Sequence, residues 1–139
     1  MTETFKSHSA ADTENIAYNL AAKIKPGDIV ALNGGMGAGK TAFTRGFVRF
    51  FSPGSRVSSP TFALVNQYKN ILHFDMYRID SGNEEDLLSI GFFDYLGSGN
   101  ILIIEWFEKI QAFFDEHTVE IDITVTGIDS REITFRRVK

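Results

Sequence analysis

Eight consecutive residues, Gly34-Gly35-Met36-Gly37-Ala38-Gly39-Lys40-Thr41, fit the pattern G-x-x-x-x-G-K-[ST] and constrain this chain more than any other stretch. A loop of that kind turns backbone N–H groups inward onto phosphate oxygens. Its lysine reaches the β- and γ-phosphates, and the hydroxyl that follows takes Mg²⁺. The flanks supply the context that the pattern demands. Gly27-Asp28-Ile29-Val30-Ala31-Leu32-Asn33 reads as a short buried strand, and Thr41 to Phe51 as a helix. Strand, glycine loop and helix together predict a nucleotide-phosphate site, against the plainer alternative of a glycine-rich turn.

The chain has 139 residues, which predicts one domain spanning 1–139 with a real core and no room for a second lobe. Hydrophobic residues make up 43% and charged residues 23%, as in ordinary globular proteins. With no Cys, a disulfide, a thiolate metal site and a cysteine nucleophile are all excluded. A net charge of −4 argues against unaided binding of nucleic acid through a basic face. No N-terminal signal pattern and no apolar run near ~18 residues is present. These features lead to the expectation of a cytoplasmic protein with no membrane association.

Ser9 is the expected N-cap of a first helix, with Asp12 three residues on and Ile16, Ala17, Leu20, Ala21 and Ile24 as its apolar stripe. Pro26-Gly27 ends that element. In the helix after the glycine loop, Phe43, Phe47, Phe50 and Phe51 share a face and are expected in the core. Ser52 to Thr61 reads as a loop. Phe62 to Tyr68 and Ile71 to Tyr77 are β-leaning runs separated by Lys69-Asn70, which predicts a hairpin. Alternation puts Leu72, Phe74 and Met76 on its core face and His73, Asp75 and Tyr77 on the polar face. Asn83 to Ile90 suggests a short acidic helix. Ile101 to Ile104 reads as a central strand buried on both faces. Alternating residues from Val119 to Val125, a turn over Gly127 to Ser130 and a last strand through Ile133 and Phe135 complete the chain. The fold class expected is α/β: a P-loop NTPase-like mixed β-sheet flanked by helices.

A P-loop enzyme needs an acid to hold Mg²⁺ or to position water, and that acid usually tips a hydrophobic strand beside the loop. Glu105, directly after Ile101 to Ile104, fits that description, against the plainer alternative of an acid simply leaving a buried strand. Asp75 is the second candidate, weighed evenly against a solvated edge-strand carboxylate. His73 is read as a satisfied structural histidine before a ligand or base, and Arg78 as a surface residue before a phosphate clamp. Thr61, in Ser58-Ser59-Pro60-Thr61, has the type and place of a γ-phosphate sensor, although a plain turn is the simpler reading. Trp106 is balanced between a nucleotide or partner contact and a buried anchor.

These blocks occur in order in one family. Leu32-Asn33-Gly34 through Gly37-Ala38-Gly39-Lys40-Thr41, Thr44-Arg45-Gly46, Ser59-Pro60-Thr61-Phe62, His73-Phe74-Asp75-Met76-Tyr77-Arg78 and Ile104-Glu105-Trp106 resemble the TsaE (formerly YjeE) family over nearly the whole chain. The S-P-T, H-F-D-x-Y-R and E-W blocks are more diagnostic than the loop itself. The resemblance implies a bacterial ATPase acting with TsaD and TsaB, in the assembly that places threonylcarbamoyl on N6 of the adenosine at tRNA position 37. In such an assembly TsaD performs the transfer, and the TsaE-like subunit is a cycling factor that meets tRNA only through the complex. The cofactors implied are ATP and Mg²⁺. Residues 34–41 (Gly34, Gly35, Met36, Gly37, Ala38, Gly39, Lys40 and Thr41) would bind nucleotide, with Thr61 and Trp106. Lys40, Glu105 and Asp75 would be catalytic, and Thr41, Glu105 and Asp75 would hold the metal. Gly35 and Met36 depart from the acid and leucine usual in the family, which predicts slow hydrolysis by the isolated protein. Three rivals remain: a small P-loop kinase, a GTPase-like switch and a nucleotide-binding adaptor without turnover. The N-K-x-D element that selects guanine is absent, which favours ATP.

Overall fold

A continuous sheet with parallel strands at its centre dominates the computed structural model, which describes residues 2–35, 37–57, 65–75, 99–105 and 117–137, with Asp75 as backbone only. The described elements are β1 (Thr2–Ser7), α1 (Ala10–Ala21), β2 (Ile29–Asn33), α2 (Lys40–Phe51), β3 (Val65–Tyr68), β4 (Ile71–Asp75), β5 (Ile101–Glu105), β6 (Thr118–Val125) and β7 (Arg131–Arg137). Strand order is β1-β7-β6-β2-β5-β4-β3. The β6-β2-β5-β4 neighbours are parallel, whereas β3, β7 and β1 pair antiparallel towards the two edges. The mixed sheet expected from the sequence is therefore present.

Its centre follows from hydrophobicity without alternation. All five residues of β5 are buried, and both its neighbours run parallel to it, as a strand covered on both faces requires. Val30 and Leu32 of β2 and Ile101 and Ile103 of β5 join Leu20 of α1 and Phe43 and Phe47 of α2 in one core cluster. On the opposite face Ile29, Ala31, Leu102, Ile104, Leu72 and Phe74 are buried as well.

α1 starts as its sequence indicates. The Asp12 N–H donates to Ser9 Oγ at 3.0 Å, and the Asp12 carboxylate accepts the His8 N–H at 3.0 Å. The β3–β4 hairpin forms around Lys69-Asn70, with Lys69 at φ 55° taking the left-handed turn conformation. Two expectations need correction. Phe50 is not in the core: it is 38% exposed and packs edge-on against Tyr18, at 5.4 Å between ring centres, while Phe43 and Phe47 are buried. β1 was not anticipated at all. Its Thr-Glu-Thr-Phe-Lys-Ser run has little apolar alternation, and it becomes a strand by pairing with β7. The expected helix over 83–90, the parts of the expected strands at 62–64 and 76–77, Arg78 and the end of the loop at 58–61 lie outside the described residues.

The two helices meet at a glycine. A Cβ built on Gly46 of α2 would stand 2.0 Å from the Glu14 carbonyl oxygen of α1, so only a hydrogen permits this approach. Beside the contact, Arg45 and Glu14 form an ion pair at 3.5 Å. Among the described residues, no helix is long and apolar enough to cross a membrane.

Candidate functional site

In open sheets of this type, ligands bind beyond the carboxyl ends of the parallel strands. Three such ends gather here. β2 runs out at Asn33 into the glycine loop, β5 ends at Glu105 and β4 at Asp75. Register places Leu32 beside Glu105 and Glu105 beside Asp75, so both candidate acids reach the edge at the level of the loop.

Gly39, at φ 104° and ψ 20°, is the N-cap of α2, a left-handed conformation that costs a side-chain-bearing residue about 1 kcal/mol or more. No side chain caps the helix at Gly39. Glycine here leaves the positive end of the helix dipole without a capping side chain of the N-cap residue's own. The Phe43 N–H closes the first helical turn on the Gly39 carbonyl at 2.9 Å, and Thr44 Oγ1 donates to the Lys40 carbonyl at 2.9 Å. Gly35 has nothing within 4 Å of a built Cβ and no left-handed φ. A side chain fits there without displacing any described neighbour.

Lys40 is buried and its Nζ lies 3.7 Å from Glu105 Oε1. The other carboxylate oxygen, Oε2, is 2.5 Å from His73 Nε2. Glu105 is 5% exposed and His73 1%. A single buried carboxylate therefore bridges the loop lysine and a histidine from β4. A buried carboxylate is tolerable only with such partners, since desolvation of an unpaired charge costs several kcal/mol. The same contact fixes the carboxylate's rotation. His73 Nδ1 has no hydrogen-bond partner among the described residues. Buried and paired through Nε2 with Glu105, the histidine has the structural setting expected of it, but the face on which it sits is buried and not the polar face expected, because Ile71 on the same face belongs to the core cluster.

Of the other expected site residues, Gly34, Gly35, Gly37, Ala38, Gly39 and Thr41 lie on the loop and the start of α2. Met36, Thr61 and Trp106 lie outside the described residues, as does the Asp75 side chain. Among the described residues no group of three or more His, Asp or Glu side chains converges as metal ligands. The donors that the described side chains could offer a Mg²⁺ ion are sparse hard oxygens, the Thr41 hydroxyl and the Glu105 carboxylate. That sparse set suits an ion that keeps several waters and shares phosphate oxygens.

A family model described as "Threonylcarbamoyl adenosine biosynthesis protein TsaE" matches residues 7–133. The chain belongs to the TsaE family. A Rickettsia typhi protein named tRNA threonylcarbamoyladenosine biosynthesis protein TsaE is 37% identical over 135 residues, covering 94% of this chain and 92% of its own. The Bacillus subtilis protein of the same name is 35% identical, over 91% of this chain and 80% of its own. A crystal structure of Bacillus subtilis YdiB superposes with a TM-score of 0.79 at 29% identity, over 100% of this chain and 87% of that one. Fold and family thus agree with the resemblance carried by the TsaE motifs.

One site residue of this TsaE family member escaped the sequence reading. Arg131, the first residue of β7, donates from Nε to the Ala38 carbonyl at 3.0 Å and from a terminal nitrogen to the Gly37 carbonyl at 3.1 Å. A charged residue after a turn was the only signal, and it gave no hint of a partner 93 positions away.

Proposed function

We propose that this chain binds Mg²⁺-ATP in the 34–41 loop and hydrolyses it slowly, serving tRNA N6-threonylcarbamoyladenosine biosynthesis as a cycling factor for a TsaD–TsaB complex. The observation that carries the proposal is the Glu105 carboxylate held between Lys40 and His73, at the mouth of a loop whose helix starts without a side-chain cap.

The residues divide the work by their chemistry. Backbone N–H groups at the start of α2 receive phosphate oxygens, and Lys40 Nζ adds a positive charge at the β- and γ-phosphates. To do so, Lys40 exchanges part of its contact with Glu105 for phosphate. The Thr41 hydroxyl and the Glu105 carboxylate, with Asp75 at the same register, are the groups proposed to hold Mg²⁺ directly or through water. Held there by Thr41 and Glu105, Mg²⁺ would supply positive charge to offset the charge developing on the phosphates during hydrolysis. His73 holds Glu105 in rotation, so the carboxylate meets metal or attacking water in one orientation. Thr61 and Trp106 are assigned by motif to the switch-like loop and to the nucleotide or partner contact. ATP is favoured over GTP because no N-K-x-D element exists to read guanine. Gly35 supports the slow turnover of the protein alone, because the acid usual after the first loop glycine in the family is missing.

The test is Mg²⁺-dependent ATP hydrolysis by the protein alone and with TsaD and TsaB, with Lys40→Ala as control. Slow turnover that rises with the partners and is lost in the variant is the expected result. Binding without turnover in both conditions supports the adaptor reading instead, and points to Gly35 as its cause.

A further inference from the structure

Arg131 does more than begin a strand. Its guanidinium spreads five contacts over two segments distant in sequence. Nε and one terminal nitrogen take the Ala38 and Gly37 carbonyls of the glycine loop. The other terminal nitrogen faces the 127–130 turn, with the Ser130 carbonyl at 2.8 Å and those of Gly127 and Ile128 at 3.2 and 3.3 Å. The turn is closed independently by the Thr126 N–H donating to the Ser130 carbonyl at 3.0 Å. It therefore offers the guanidinium a fixed seat.

The consequence follows from peptide geometry. A trans peptide points its carbonyl and the next N–H in opposite directions. A guanidinium that draws the Ala38 carbonyl towards β7 therefore turns the Gly39 N–H away from β7, whereas the Ala38 N–H, opposite the Gly37 carbonyl, is closed within the loop on the Gly35 carbonyl at 3.1 Å. The loop's donors can face an anion only if its carbonyls are turned away and satisfied elsewhere. Arginine suits this task because its planar fork donates in several fixed directions at once, whereas lysine offers one compact charge.

We propose that Arg131 is a positioning residue of the phosphate-binding loop: by holding the Gly37 and Ala38 carbonyls against the 127–130 turn, it fixes the loop's path and pre-sets the Gly39 N–H for phosphate. The proposal rests on the assignment of this loop to nucleotide phosphates. A cavity of about 130 Å³ bounded in part by Arg131, Asp129 and Ala42 lies alongside, so a direct contact of Arg131 with the nucleoside is the rival to be separated.

The experiment compares ADP and inorganic pyrophosphate binding by calorimetry in the wild type, Arg131→Ala and Arg131→Lys, with thermal denaturation of each. Loss of charge-assisted hydrogen bonds that pre-organise the site predicts a loss of about 10- to 30-fold for Arg131→Ala, equal for both ligands. Arg131→Lys, which keeps charge but not the fork, is expected to lose about 5-fold or more. Millimolar methylguanidinium should restore part of the alanine variant's affinity and leave the wild type unchanged, which a purely structural role would not produce. Pyrophosphate binding within twofold of wild type in the alanine variant overturns the proposal, whether or not ADP binding falls. If the alanine variant does not fold, the lysine variant decides: unaltered pyrophosphate affinity there overturns it. Failure of the wild type to bind either ligand would instead sink the loop assignment itself.

Discussion

Glu105→Gln is expected to lower partner-stimulated ATP turnover by about 10²–10³-fold while leaving ATP affinity within about threefold of wild type or tighter. The two effects separate because the residue has two neighbours. Glutamine keeps the volume and still accepts from His73 Nε2, so the end of β5 stays packed. It loses the negative charge that faces Lys40 at 3.7 Å. Lys40 then gives up less when a phosphate arrives, and binding does not suffer. What disappears is the carboxylate that would hold the metal or orient water, a contribution made in the transition state and seen in kcat. Steady-state kinetics beside equilibrium binding checks both halves. A parallel fall in affinity and turnover would show that Glu105 acts through the structure of the loop. Unchanged turnover would transfer the acid's role to Asp75.

Gly46→Ala is expected to destabilise the protein by about 2–3 kcal/mol and to lower its melting temperature by roughly 6–12 °C. The sign is the informative part. Alanine in the interior of a helix ordinarily gains about 1 kcal/mol over glycine. Here the added carbon would lie 2.0 Å from the Glu14 carbonyl oxygen and 2.6 Å from its carbon. Those atoms are backbone, so no rotamer change relieves the overlap and α1 must move away from α2. The Arg45–Glu14 ion pair beside the contact is too exposed to compensate. Because α2 begins at Lys40, the displacement should also weaken nucleotide binding. Thermal denaturation decides the point, and an alanine variant as stable as wild type would contradict the close approach.

What the sequence made legible was local. The glycine loop carries its own conformational demand in Gly39, the aliphatic run of β5 carries its burial, and Lys69-Asn70 carries a hairpin in two residues. Glu105 could be placed because a strand's end is a position along the chain. Long-range pairing was not legible. β1 is a strand by virtue of β7, and Arg131 is a loop residue by virtue of a turn that brings it to Ala38. The face carrying His73 was expected to be polar for a related reason: alternation distinguishes two faces of a strand but cannot say that both are covered. Phe50 failed because the aromatic face of α2 is wider than the surface it packs on, and its last turn leans on Tyr18 instead. The written motif Thr44-Arg45-Gly46 shows the division well. Its glycine is visible in the sequence, and its reason, the Glu14 carbonyl, lies on another helix.

The central claim is that the 34–41 loop binds the phosphates of Mg²⁺-ATP through Lys40 and the start of α2. Calorimetric titration of ATP into the wild type and into Lys40→Ala, each with and without Mg²⁺, tests it most directly. One saturable site that strengthens with Mg²⁺ and weakens by about 30-fold or more in the variant is the predicted result. Equal affinity in the two proteins, or no binding by the wild type, would contradict it.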